Sequence, residues 1–246
     1  RLDGRVRQVL QGNTSTILRH TQCMIKSIIL HKLRSLVFKY GEDIVRNTNK
    51  LVYGIGTKGM EYPTWEDNKK LKEYSLWIDM CARCSVDYPK KCPTYLGVTC
   101  SDNFKYYPFF YEWCQEQVGF RNKDEKGKSW TMDKDILIKG NKFYSEDTCV
   151  FVPQKINKLL NKRKTLRGEY PIGVCLDKVS SKFSAFCNDG NGNQKLIGRF
   201  PTPKDAFQAY KRAKEVVIRQ IAEEYKLQID PRAYQALLNY TVEITD

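Results

Sequence analysis

The stretch from Trp130 to Leu160, WTMDKDILIKGNKFYSEDTCVFVPQKINKLL, constrains this chain more than any other. Met132, Ile136 and the run Cys149-Val150-Phe151-Val152 have the composition of strands. Gly140 and Asn141 punctuate the interval between them. Pro153 can open a helix, because its missing N–H is not needed at the first helical position, and Ile156, Leu159 and Leu160 then recur at helical spacing. The segment reads as a β-β-α unit. In such a unit a carboxylate on the first strand, Asp133, and an amide on the helix, Asn157, are able to face one another. They are two oxygen ligands suited to a hard divalent ion such as Mg2+.

What surrounds this unit is basic. In 246 residues, 42 Lys and Arg stand against 28 Asp and Glu, a formal charge of +14. The first reading of that excess is a nucleic-acid partner and the second an anionic membrane surface. No apolar run approaches the roughly 20 residues of a membrane span, which weakens the second. No secretory leader is visible, and Arg1 in place of an initiator methionine is what a processed or truncated chain would show. The nine cysteines are scattered and do not read as a disulfide framework, so reduced thiols are expected. Cys81 and Cys84 form a CxxC that is followed by single cysteines at Cys92 and Cys100. Zinc would need all four to converge tetrahedrally, and without a second CxxC it is the minor alternative to free thiols.

The central unit resembles the ββα-metal finger of HNH homing endonucleases of bacteriophage type. The resemblance rests on Met132-Asp133-Lys134-Asp135, Gly140-Asn141, Tyr144 through Val152, and Gln154 through Asn157. It extends upstream through Tyr74 to Cys84, Pro93 to Val98 and Phe109 to Trp113, covering roughly residues 70–161. It implies a metal-dependent nuclease in which Asp133 and Asn157 bind Mg2+ or Mn2+. Such enzymes generally carry a base histidine beside the metal-binding aspartate and an asparagine that orients it. Here those places hold Lys134 and Thr148. The only histidines, His20 and His31, lie far upstream and are expected to be structural or surface residues. Asp133, Lys134, Asp135, Thr148 and Asn157 are therefore the candidate catalytic set. Because Asp133 and Asp135 would favour the charged form of Lys134, metal-activated water is preferred over a lysine base. Lys134 then stabilises charge on the phosphate.

The last module carries a second resemblance. Tyr170 to Lys178, Lys182 to Asn188 and Gln194 to Phe200 read as three strands, the last two joined by the turn Asp189-Gly190-Asn191-Gly192-Asn193. Thr202-Pro203-Lys204-Asp205 is a capped helix start, and Ala206, Tyr210, Ala213, Val217 and Ile221 form its apolar stripe. Gly173-Val174, Asp177-Lys178, Ser181 to Ala185, Gly198-Arg199-Phe200 and Asp205-Ala206 with Ala209-Tyr210 resemble the ethylene-response-factor, or Apetala-type, DNA-binding domain. That resemblance implies a sheet face lying in the major groove of double-stranded DNA. By alternation Lys178, Lys182, Lys195 and Arg199 are its candidate phosphate or base contacts. The run Lys162, Arg163, Lys164 and Arg167 ends a helix, where cations suit the dipole, and is also placed to track a phosphate backbone.

The expected architecture is α+β. A small β-barrel-like module over 1–50 is followed by a linker over 51–69 and the HNH-like ββα-metal domain over 70–161. A basic linker over 162–169 leads to the Apetala-type module over 170–246, a three-stranded sheet plus helix, with a helix starting at Asp230-Pro231 as its cap. Gly54, Gly56 and Gly59 lack the strand-to-helix setting of a dinucleotide fingerprint. Two functions remain open. One is a site-specific, metal-dependent phage-type DNA endonuclease, a hydrolase acting as a monomer in the cytoplasm of an infected bacterial host. The other is a catalytically inactive DNA-binding protein on the same scaffold, with a role in regulation or in interference with host or rival machinery; a protein partner is compatible with either.

Overall fold

The structure is a computed structural model that describes residues 51–160 and 168–246, which belong to one compact unit. The β module expected over 1–50 lies outside the described residues, as do Lys162, Arg163, Lys164 and Arg167. The fold is a mixed α+β arrangement of small sheets and helices. None of its described helices is long and apolar enough to cross a membrane.

The first half is built on two helices, α1 (Lys72–Cys84) and α3 (Tyr107–Glu116), with the short helix α2 (Tyr88–Lys91) between them. In α1, Trp77, Met80 and Cys81 fall on one face, and in α3 Phe110, Trp113 and Cys114 do the same. Those stripes at three- and four-residue spacing close on each other. Together with Phe104, Tyr107 and Phe120 they make a largely aromatic core. Trp77 is fully buried, and its indole N–H donates to the carbonyl of Phe104 at 2.8 Å.

Residues 51–69, expected as a linker, form part of this packing. Val52 and Ile55 lie against the aromatic core, and Tyr62 stacks on Tyr111 with ring centroids 4.2 Å apart. Gly56 is not a spacer residue, because a Cβ there would sit 2.4 Å from the Trp77 ring. The stretch ends in a two-residue antiparallel pair, β1 (Trp65–Glu66) with β2 (Lys69–Lys70).

The central β-β-α unit is present. β4 (Thr131–Asp133) pairs antiparallel with β6 (Val150–Val152), and α4 (Gln154–Leu160) follows. The intervening β5 (Phe143–Tyr144) pairs in parallel with β3 (Thr99–Cys100). Because strand side chains alternate, the β4–β6 ribbon separates two cores. Met132 and Phe151 enter the aromatic core, whereas Val150 and Val152 face the opposite way, onto Ile156 of α4 and the C-terminal module. Ile136, expected in the first strand, is buried but lies beyond it.

The C-terminal module is a three-stranded antiparallel sheet, β7 (Val174–Asp177), β8 (Lys182–Asn188) and β9 (Gln194–Phe200), in the order β7-β8-β9. β8 and β9 occupy the residues that alternation assigns them, and β7 starts at Val174 instead of Tyr170. Helix α5 (Pro203–Tyr225) begins at Thr202, whose hydroxyl accepts from the backbone N–H of Asp205 at 3.1 Å. Its buried Ala206, Tyr210 and Ile221 cover the sheet. Gly173 has φ +77°, and a Cβ there would lie 2.2 Å from the Tyr210 ring, so the turn into β7 requires glycine. Helix α6 (Pro231–Leu238) is capped by Asp230.

Candidate functional site

An open cleft of about 1000 Å³ lies where the ends of β4 and α4 meet α1, the turn around Thr94 and Tyr95, and the loop Lys139 to Lys142. Asp133, Lys134, Asp135 and Asn157 all line it. Thr131 and Asp133 share one face of β4, the face toward α4, and are separated by about 7 Å along the strand. Asn157 of α4 donates its amide N–H to the Thr131 hydroxyl at 3.1 Å. That bond engages the amide nitrogen, so the amide oxygen is the ligand atom Asn157 would have to offer a cation in the cleft.

Asp133 stands in a demanding environment. Its Oδ1 accepts backbone N–H groups from Asp135 at 2.8 Å and Ile136 at 3.1 Å, which turns the chain out of β4. Burial pushes its carboxyl up to about 7, the neighbouring Asp135 adds to the rise, and the two backbone donors only partly offset it. Among the described residues no lysine or arginine forms an ion pair with Asp133. The Lys134 ammonium turns away from it, donating to the carbonyl of Asn141 at 2.9 Å and lying 3.5 Å from Asp135. It also sits 5.6 Å from the centre of the Tyr144 ring. The donor set fits Mg2+ or Mn2+, which take oxygen ligands and bind through one or two protein groups while the rest of the shell stays with water and substrate phosphate. A cation there would relieve the repulsion between the two carboxylates.

The lining also holds residues the sequence did not single out. Arg83, at the last turn of α1, is half-buried and lines the cleft with Asp79. Its guanidinium donates to the Tyr144 hydroxyl at 3.3 Å and lies 5.6 Å from the centre of the Tyr95 ring. Burial works against its charge, but Tyr144, Tyr95 and Asp79 more than restore it. Among the described residues no carboxylate lies within salt-bridge distance of Arg83, and Asp79 in the same lining acts on its charge from farther off. Lys142, Asn141 and Tyr240 complete the lining. The signal in the sequence was a lone arginine inside the CxxC of Cys81 and Cys84, which the cysteines overshadowed.

Thr148, taken as a candidate catalytic residue, does not line the cleft. Its hydroxyl donates to the carbonyl of Phe143 at 2.7 Å and accepts from the N–H of Ser145 at 3.0 Å, pinning the turn before β6. A hydroxyl satisfied by its own local backbone is a structural device. Among the cysteines weighed for zinc, Cys84 lies against Cys100, and burial pushes the Cys81 thiol up to about 12. Among the described residues no group of three His, Cys, Asp or Glu side chains is arranged to hold a metal.

On the C-terminal sheet, Lys182 and Arg199 share the face away from α5, since they pair across β7 and β8 with Asp177 and Ser184. Arg199 is held by Asp177 at 2.8 Å, and that bond draws the Asp177 carboxyl down to about 2. Lys195 and Lys178 do not join that face. A bulge at Ile197 shifts the register so that Lys195 pairs with Cys187, whose side chain is buried under α5, and Lys178 lies in the turn after β7. Simple alternation does not account for a bulge.

No protein-family model, curated protein or solved structure matches this chain. What the site is able to do therefore rests on its own chemistry.

Proposed function

We propose that the chain is a metal-dependent DNA endonuclease of the HNH homing type, acting on double-stranded DNA in the cytoplasm of a phage-infected bacterial host. The observation that carries this reading is that Asp133, Asn157 and the Arg83 guanidinium all line one cleft, with Asn157 bonded to Thr131 on the strand that ends in Asp133. Asp133 and the Asn157 amide oxygen would hold Mg2+ or Mn2+. When bound, such an ion supplies Lewis acidity toward a phosphodiester oxygen and lowers the pKa of a water.

The chain's own groups do the rest. Asn141 fixes Lys134 by exchanging two hydrogen bonds with it, its carbonyl taking the ammonium and its amide donating to the Lys134 carbonyl at 2.7 Å. A positioned ammonium at the edge of the cleft stabilises negative charge as it grows on the phosphate. Arg83, also in the lining, offers paired N–H donors, a geometry matched to phosphate oxygens. The face of the C-terminal sheet bearing Lys182 and Arg199 would hold duplex DNA, with the basic residues of 162–167 adding sequence-independent attraction.

A second reading has its own observation. The position expected of a base histidine is Lys134, and its ammonium is already engaged by the Asn141 carbonyl and Asp135. On that ground the cleft would bind DNA without cutting it. Incubation of the chain with a panel of DNA that includes phage genomic DNA, with Mg2+ or Mn2+, separates the two. Cleavage that is lost in both Asp133→Ala and Asn157→Ala supports the nuclease, and intact DNA with either metal leaves the binding protein.

A further inference from the structure

The C-terminal module reaches the cleft from outside the central unit. One apolar cluster runs without a break from Trp130, Val152 and Ile156 into Ile218, Ile221 and Leu237. Around it, Trp130 meets Tyr225 edge-on at 6.1 Å, Lys155 pairs with Glu224 at 2.7 Å, and Arg232 donates to the carbonyl of Asp147 at 3.3 Å. Beyond α6 the chain returns to the cleft itself. The ammonium of Lys139 donates to the carbonyl of Thr241 at 2.9 Å and to the carboxylate of Asp246 at 2.7 Å. It also lies 5.0 Å from the centre of the Tyr240 ring. The Asp246 side chain is only 7% exposed, and Lys139 and Tyr240 both line the cleft.

We infer that residues 239–246 are a strap which fixes the loop Ile138 to Asn141, making Lys139 and Asp246 positioning residues for Lys134 and the C-terminal module a wall of the cleft. The contacts form a chain. Asp246 holds Lys139, Lys139 holds the loop, and at the end of that loop Asn141 grips Lys134 from both sides. The pair is shielded enough to be held firmly, and removing Asp246 takes from the Lys139 ammonium the carboxylate that faces it. In the nuclease reading, on which this inference rests for the role of Lys134, the strap also keeps the DNA-reading sheet and the cleft in one frame. The cut then falls at a fixed offset from the bound sequence, whatever the length of the connector over 161–167.

Hydrogen exchange on the full chain tests the strap without asking for catalysis. Asp246→Asn and Lys139→Met should each speed exchange of the amides of residues 138–142 by about tenfold, local opening being set by contacts of this kind. The double variant should be no faster than either single one, and the β8 amides serve as an internal control for folding. In DNA cleavage the same variants should lower kcat while KM for DNA holds, and six Gly and Ser residues inserted between Leu160 and Gly168 should leave the cut offset unchanged. Unaltered exchange over 138–142 in both single variants overturns the strap, and so does a cut that moves with the insertion. If the chain cuts no DNA, the exchange data alone decide the strap, and only the nuclease reading falls.

Discussion

Replacing Asp133 by asparagine should make this protein more stable at pH 8 while removing its response to metal. In the folded chain, burial and Asp135 raise the Asp133 carboxyl from 3.8 to about 7. Between those values the native state holds a proton that the unfolded chain gives up, so stability falls as pH rises through that window and levels off above it. The full difference corresponds to about 4 kcal/mol. Solvent at the mouth of the cleft screens part of it, so a gain of about 2 kcal/mol is expected for the variant. Asparagine keeps the Oδ1 acceptor for the N–H groups of Asp135 and Ile136 and turns a repulsive neighbour of Asp135 into a donor. For a unit of this size about 2 kcal/mol raises Tm by about 4–8 °C. Thermal denaturation of both proteins at pH 4 and pH 8, with and without 10 mM Mg2+ (roughly the range a weakly held ion needs), reads out the effect. The gap between variant and wild type should open with pH, and Mg2+ should stabilise only the wild type. A variant less stable than wild type at pH 8, or equal stabilisation of both by Mg2+, refutes the placement of the carboxylate and its cation.

Other consequences are as direct. Arg83→Lys keeps the charge but loses the paired donors, so cleavage should slow by about tenfold or more with folding intact, measured by single-turnover assay and circular dichroism. Gly173→Ala forces a Cβ into the Tyr210 ring at positive φ, and should cost at least about 2 kcal/mol in urea denaturation. Trp77→Ala empties the centre of the aromatic core and strands the Phe104 carbonyl, with an expected loss of about 3–5 kcal/mol. Lys182→Ala should lower the slope of log binding constant against log salt for duplex DNA by about 1, without changing sequence preference.

The parts of the fold that were legible in the sequence are those decided locally. β8, β9 and the Thr202 cap follow from a period of two, a glycine-asparagine turn and a hydroxyl before proline, none of which needs a distant partner. That Asp133 and Asn157 lie along one cleft was legible because one short unit carries both. Arg83 and Tyr240 were not, since they arrive at the cleft from α1 and from the end of the chain, and their places depend on how whole modules pack. Local competition misled the reading of Thr148, whose hydroxyl is spent on the turn beside it. Lys195 was displaced by a single extra residue in β9. The glycines of 51–69 suggested a spacer, although Gly56 is small because the Trp77 ring lies against it.

The two N–H bonds that Asp133 accepts give it a second task. The side chain proposed to hold the cation is also what bends the backbone at the end of β4, so its length is set by the path of the chain as well as by the ion. Glutamate at that position would carry the same charge and the same oxygens, yet one more methylene would move them past both amides and let the turn relax. The identity of residue 133 is thus fixed by geometry before any metal arrives.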